Sequence, residues 1–169
     1  MGLLDSPIIQ RIRRNHGLEH ATVHILLQRH GQMSLVGHSD WNGFTLYGPI
    51  DTADVKQAAH EALRRLRQGE RELAVHPRCG TMLVTTGLMT ALAAFLAISL
   101  DSGPRQRWRW SSIPAAILAA TGAAILAQPL GLLLQERYTT DGDPGNLEIK
   151  RVSLKPAGQM IVHRIDTAQ

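Results

Sequence analysis

Two stretches of the chain are apolar without interruption. Thr81–Leu100 (TMLVTTGLMTALAAFLAISL) and Ile113–Leu134 (IPAAILAATGAAILAQPLGLLL) contain no Asp, Glu, Lys or Arg. At a rise of about 1.5 Å per residue, some twenty helical residues cover roughly 30 Å, the thickness of a bilayer's hydrocarbon core. Each aliphatic side chain favours insertion by about 0.3–0.6 kcal/mol, which outweighs the threonines of the first run. Between the runs, DSGPRQRWRWSS combines Asp, Gly and Pro turn formers with tryptophans suited to a membrane–water interface. The pattern predicts a transmembrane hairpin. Two buried helices of a soluble bundle are the competing reading, and the long absence of charge disfavours them. Gly87 and Ala91, with Ala115, Ala119 and Ala123, stand at the small-xxx-small spacing that brings helices close, within the hairpin or onto a partner's helix. Gln128-Pro129 predicts a kink in the second span.

The remaining positions mix apolar and polar residues. From Pro7 to about His30 the period is helical, with Ile9, Ile12, His16, His20, Val23 and Leu27 on one stripe and Gly31 at the end. Short strands are expected at Ser34–His38 and Gly43–Tyr47, joined by a turn around Asp40 to Gly43. A second helix is predicted over Thr52–Gln68, with Asp51 as N-cap, Asp54 completing the capping pattern and Gly69 as stop. Glu72–His76 reads as extended. TTDGDPGN then forms a linker, and LEIKRVSL and MIVHRID alternate around KPAGQ as an antiparallel hairpin. The predicted fold class is therefore α+β: a small cytoplasmic α+β unit interrupted by a two-helix transmembrane hairpin. Its parts are residues 1–80, the spans 81–100 and 113–134, and a C-terminal β-hairpin over 135–169 that completes the cytoplasmic part.

Charge orients this picture. Arg64, Arg65, Arg67, Arg71 and Arg78 precede the spans and Arg137, Lys150 and Arg151 follow, against Arg105, Arg107 and Arg109 between them. The excess in the flanks predicts that both termini are cytoplasmic, in a plasma (bacterial inner) membrane. The N-terminus is amphipathic and arginine-bearing, so no cleavable signal peptide is read there. MGLLDS fits a loose acylation pattern and is taken as coincidence. The pI is about 9.8, yet the basic residues cluster beside the spans and no nucleic-acid motif accompanies them. The expected partner is the lipid bilayer, together with a membrane-protein partner or a second copy of the chain, and not nucleic acid. A single cysteine excludes an internal disulfide framework.

Two constellations carry chemistry. His16-Gly-Leu-Glu19-His20 is an H-x-x-E-H pattern: histidines four apart on a helix converge on one ion, and the glutamate is placed to act as general base. Two imidazoles on an apolar stripe also need partners once buried. His24 continues the series at the stripe's edge. His76-Pro-Arg-Cys79, just before the first span, pairs an imidazole with a thiol, both suited to Zn²⁺ or another divalent transition metal. The candidate metal ligands are His16, His20, His76 and Cys79, and the candidate catalytic residue is Glu19. His30, His38, His60 and His163 are read as structural, and Trp41, Phe44 and Tyr47 as packing aromatics.

HGLEH followed by HPRCGT at the mouth of a span resembles the bacterial membrane-protein family of unknown function numbered 1385. The smaller related family numbered 6391 carries an N-H-x-x-E-H-A-T element, matched here by Asn15–Thr22. Ala21 stands where the larger family has lysine. The resemblance implies a metal-dependent protein, with His16, Glu19, His20, His76, Cys79 and Thr81 at the matched positions.

Three functions are open on these grounds. One is a membrane-anchored, zinc-dependent hydrolase, most naturally a peptidase. The second is a non-catalytic structural or assembly protein with a closed metal site of four protein ligands. The third is an anchored protein with a metal-free histidine core.

Overall fold

Pro7 opens the first helix, where its missing N–H costs nothing, and Gly31 closes it by bonding its N–H to the Leu27 carbonyl at 3.0 Å. A computed structural model of the chain describes residues 6–101, 110–157 and 160–169. Met1–Asp5, most of the segment expected to join the two apolar runs, and the turn expected at Gly158 and Gln159 lie outside the described residues. The chain divides into two units: residues 1–76 with 135–169, and residues 77–134.

In the first unit, α1 (Pro7–His30) leads to β1 (Val36–Asp40), β2 (Gly43–Tyr47) and α2 (Thr52–Arg67). The chain returns after the second unit to form β3 (Glu148–Ala157) and β4 (Met160–Ala168). The four strands make an antiparallel sheet in the order β1-β2-β4-β3. Both helices cover one face, α1 over the β1–β2 side and α2 over β3. Phe44 of β2 faces Ile165 of β4 across the pairing. Both meet Leu18, Ala21, Ile25 and Leu26 of α1 and Val55, Ala58, Ala62 and Leu66 of α2 in one core. Each fully buried Leu or Ile there contributes about 1.5–3 kcal/mol.

Several sequence expectations shift. β1 runs to Asp40 instead of ending at His38, because Asp40 pairs with Gly43 and leaves a two-residue turn. The Asp40 carboxylate accepts the Asn42 N–H at 2.8 Å and completes that turn. Asp51 holds the N-cap position of α2 without a side-chain bond to the helix, so the expected capping pattern does not form. Asp54 instead lies 3.3 Å from His30. Arg71–Ala74 is a 3₁₀ turn, not the extended start expected of Glu72–His76. Its Leu73 and Ala74 are buried, and the carbonyls that follow turn toward α1 rather than to a strand. Helix α1 is also buried well beyond one stripe, with Asn15, Glu19 and Thr22 enclosed as fully as its leucines.

The second unit holds α3 (Gly80–Asp101), a short 3₁₀ turn at Trp110–Ser112 and α4 (Ile113–Leu134). The two helices pack on each other. Ala116, Ala127 and Gly131 are the buried positions of α4, and the Met82 sulfur fills the space a side chain at Gly131 would take. Gly87 faces open space and Ala91 and Ala115 are exposed, while Ala119 and Ala123 are half-buried, so the contact follows the expected small-residue spacing only in part. Helix α4 continues through Pro129. Only 6% and 11% of the most apolar stretches of these helices are buried, unlike the core helices of a soluble bundle. Both are long and apolar enough to cross a membrane.

Candidate functional site

Helical spacing puts His16, His20 and His24 on successive turns of α1, facing the stretch from Ala74 to His76 and the π-helical turn Gln135–Thr139. The ring centres of His16 and His20 are 4.4 Å apart, those of His20 and His76 5.9 Å, and those of His24 and His76 4.9 Å. A nitrogen–zinc bond of about 2.0–2.1 Å sets a ligating ring's centre roughly 3.2 Å from the ion, so two ligating rings stand at most about 6.4 Å apart. The His16–His20 and His20–His76 spacings both satisfy that limit.

Hydrogen bonds set the tautomers. His20 Nδ1 bonds the Ala74 carbonyl at 2.8 Å and His16 Nδ1 bonds the Thr139 carbonyl at 2.9 Å. A carbonyl only accepts, so Nδ1 is the donor in both rings and the lone pair of each neutral ring sits on Nε2. This is the outer-shell arrangement by which backbone carbonyls orient metal-binding histidines. His24 bonds the Val75 carbonyl through Nε2 at 2.9 Å, which leaves its lone pair on Nδ1. Imidazole nitrogens suit a divalent transition ion such as Zn²⁺, and the spacings allow His16 with His20, and His20 with His76, to share one pairwise.

Glu19 points elsewhere. Its carboxylate accepts the Ser39 hydroxyl and lies over Gly37, on the sheet side of α1. Burial raises its pKa from the ordinary 4.5, against the opposing effects of the Ser39 bond and of His16 and His38. A side chain at Gly37 would fall 1.9 Å from the Glu19 Oε1, so the close approach requires glycine there. Gly17, inside the H-x-x-E-H motif, has a similar reason: its missing Cβ would sit 2.3 Å from the Asp141 carbonyl oxygen. The Asp141 N–H bonds the Arg13 carbonyl at 3.0 Å and holds that loop against the helix.

Of the residues expected to bind metal, the first unit therefore brings together His16, His20 and His76 and adds His24. Cys79 lies three residues beyond His76, at the head of α3 in the second unit, where its carbonyl receives the Met82 N–H at 2.9 Å and its thiol approaches the Thr81 hydroxyl at 3.7 Å. Among the residues expected to be structural, His163 is fully buried, bonded to the Ile50 carbonyl at 3.0 Å, and burial lowers its pKa.

Gln135 escaped the sequence reading. It is fully buried, and its Oε1 accepts the main-chain N–H of His76 at 3.0 Å. An amide at the border between an apolar run and the first charged residues was the available signal. A cavity of about 480 Å³ opens nearby, lined by Arg71, Glu72, Ala74, Val75, Glu136 and Asp141. Its wall thus includes the two residues whose carbonyls hold His20 and His24.

No solved structure matches the chain. An uncharacterized protein of a Picosynechococcus species is 37% identical over 151 residues, covering 83% of this chain and 71% of its own. A family model described as a domain of unknown function, DUF6391, matches residues 11–152 and so takes in the histidine cluster, both apolar helices and the first half of β3. The chain belongs to that family, the smaller of the two that its motifs resemble.

Proposed function

We propose that this is a membrane-anchored metalloprotein, with α3 and α4 as the anchor and His16, His20 and His76 holding Zn²⁺ or a similar divalent ion, and that it hydrolyses a peptide or related acyl bond at the cytoplasmic face. The observation that carries the metal site is the pair of Nδ1–carbonyl bonds at His16 and His20, which turn Nε2 of both rings into ligand atoms. The exposure of α3 and α4 supports the anchor. When bound, the ion supplies Lewis acidity that polarises a carbonyl oxygen and acidifies water. For Glu19 to take and return the proton, its carboxylate must turn from the Ser39 hydroxyl on the sheet side of α1 toward the histidines. Cys79 stands as a fourth donor or a neighbour of the site.

A second reading is a closed, structural metal site that braces a membrane assembly. The Ser39 bond favours it, because it engages the Glu19 carboxylate on the sheet side of the helix. Four protein ligands including a thiolate would leave no open position.

Elemental analysis of the purified protein, beside His20→Ala and Glu19→Gln, separates the readings. The hydrolase reading expects about one ion per chain in wild type and Glu19→Gln, none in His20→Ala, and loss of function in both variants. Retained function in Glu19→Gln with metal present leaves the structural site. A metal-free wild type removes both.

A further inference from the structure

The Gln135 amide has an orientation that the structure fixes. A main-chain N–H bonds only to an acceptor, so the end facing His76 is oxygen and the other end is the NH₂ group. Gln135 is 0% exposed, and its Nε2 has no hydrogen-bond partner among the described residues. The two ends of an amide are roughly 2.3 Å apart, which keeps Nε2 within about 5.3 Å of the His76 nitrogen. The residue is held in place as well: the Thr140 N–H and hydroxyl both donate to its carbonyl, each at 2.9 Å. Buried donors are rarely left unmet, and each one that is calls for a cause such as strain, a catalytic role or a bound water or ion. This donor stands at the end of α4, where the helix widens into a π turn that also delivers the Thr139 carbonyl to His16. Such π turns recur at functional sites.

We infer that Gln135 Nε2 donates to the carbonyl oxygen of a bound neutral acyl compound, an amide or an ester, and so orients it against the histidine cluster. The inference rests on the proposed hydrolase and names its substrate class. Charge argues for a neutral ligand over a phosphate or other dianion. The nearby cavity, lined by Glu136 and Thr140 though not by Gln135 itself, is walled by Glu72, Glu136 and Asp141, the last 3.7 Å from Arg14, against the guanidinium of Arg71. An excess of carboxylates repels an anion and tolerates a carbonyl.

The test follows the Gln135 side-chain amide by nitrogen-15 NMR of the full chain in detergent, assigned with Gln135→Glu. That variant keeps an acceptor for His76 and removes the donor; Gln135→Met serves if it does not fold. N-methylacetamide, acetate and inorganic phosphate are titrated with and without Zn²⁺. The expected result is a saturable shift of the Gln135 NH₂ signal with N-methylacetamide, weaker with acetate and absent with phosphate. Read from the neighbouring main-chain amides, affinity falls at least about tenfold in the variant, as expected for one lost hydrogen bond. A Gln135 signal that no probe moves, with Zn²⁺ bound, assigns the donor to an ordered water only and overturns the inference while leaving the metal site intact. A stronger response to phosphate than to the amide overturns it too. A response to N-methylacetamide in a protein that takes up no Zn²⁺ upholds the donor and removes the metal.

Discussion

The Nδ1 of His20 and the main-chain carbonyl of Ala74, 54 positions apart in the chain, meet at 2.8 Å. Together with the His16–Thr139 bond at 2.9 Å, this contact ties one face of α1 to the last residues before the apolar helices and the first residues after them. Whatever disturbs either approach disturbs the direction in which the imidazoles point.

Gly17→Ala is the mildest such disturbance. The new methyl group would lie 2.3 Å from the Asp141 carbonyl oxygen and 3.3 Å from the Ala74 Cβ, both close to the histidine supports. Overpacking of this kind costs about 1–3 kcal/mol, offset in part by about 1 kcal/mol of helix propensity. Because the atom met is a backbone oxygen that cannot swing aside, the upper end applies, and the expected outcome is a net loss of about 2 kcal/mol in denaturant unfolding, with zinc affinity reduced as well. Unchanged stability would mean that the 139–142 loop does not rest on α1.

Removing ligands one at a time gives a graded result. His16→Ala and His20→Ala each abolish stoichiometric zinc at micromolar free metal, and His60→Ala, on exposed α2 surface, leaves it unchanged. His24→Ala weakens zinc binding less than either, because its ring packs against His76, one step further along from the His16–His20 pair. Equal losses for His24 and His20 would reassign the ligand set. Isothermal titration with zinc reads all four.

Asp40 and Arg164 form a two-pronged pair on the sheet face away from the helices, at 2.7 and 2.9 Å. The Arg164 bond holds the Asp40 pKa below its ordinary 3.8. A depressed carboxylate stabilises the fold above its unfolded pKa, and that contribution disappears as pH falls through the folded value. Asp40→Asn is therefore expected to lower stability by about 1 kcal/mol at neutral pH, discounted because the Asp40 side chain is 41% exposed. The gap closes as pH drops below 3.8. A gap that persists in acid would assign the loss to the turn at Asn42 instead.

Deleting residues 77–134 and joining His76 to Gln135 through about five Gly and Ser residues is expected to give a folded, water-soluble first unit. The His76 N–H already reaches the Gln135 side chain, so such a linker spans the gap. Circular dichroism and size exclusion check the fold. Zinc retained by this protein excludes Cys79 as a necessary ligand, and zinc lost requires it.

Much of this was written in local pattern. Pro7 and Gly31 bracket α1, Gly69 follows α2 closely, and the charge-free runs coincide with α3 and α4. What escaped depends on distant chain. Asn15 is buried because its amide bonds the Asp40 carbonyl and receives the Thr167 hydroxyl, and no periodicity announces either partner. The same holds for Glu19 against Ser39 and for Gln135 against His76. Glu72–His76 reads locally as extended, but the Ala74 and Val75 carbonyls are taken by His20 and His24 of α1 instead of by a strand. The histidine motif was visible as spacing; the carbonyls that aim it were not.

Strand β4 lies between β2 and β3 although it is made after both. On the ribosome, β2 is therefore left waiting for its inner neighbour until residue 160 and beyond have emerged, by which time α3 and α4 have long left the exit tunnel. Closure of the sheet becomes a late, long-range event, and long-range pairings are the slow ones. The order of birth thus leaves an interval in which the helical pair can find its final surroundings before the histidine-bearing unit locks shut.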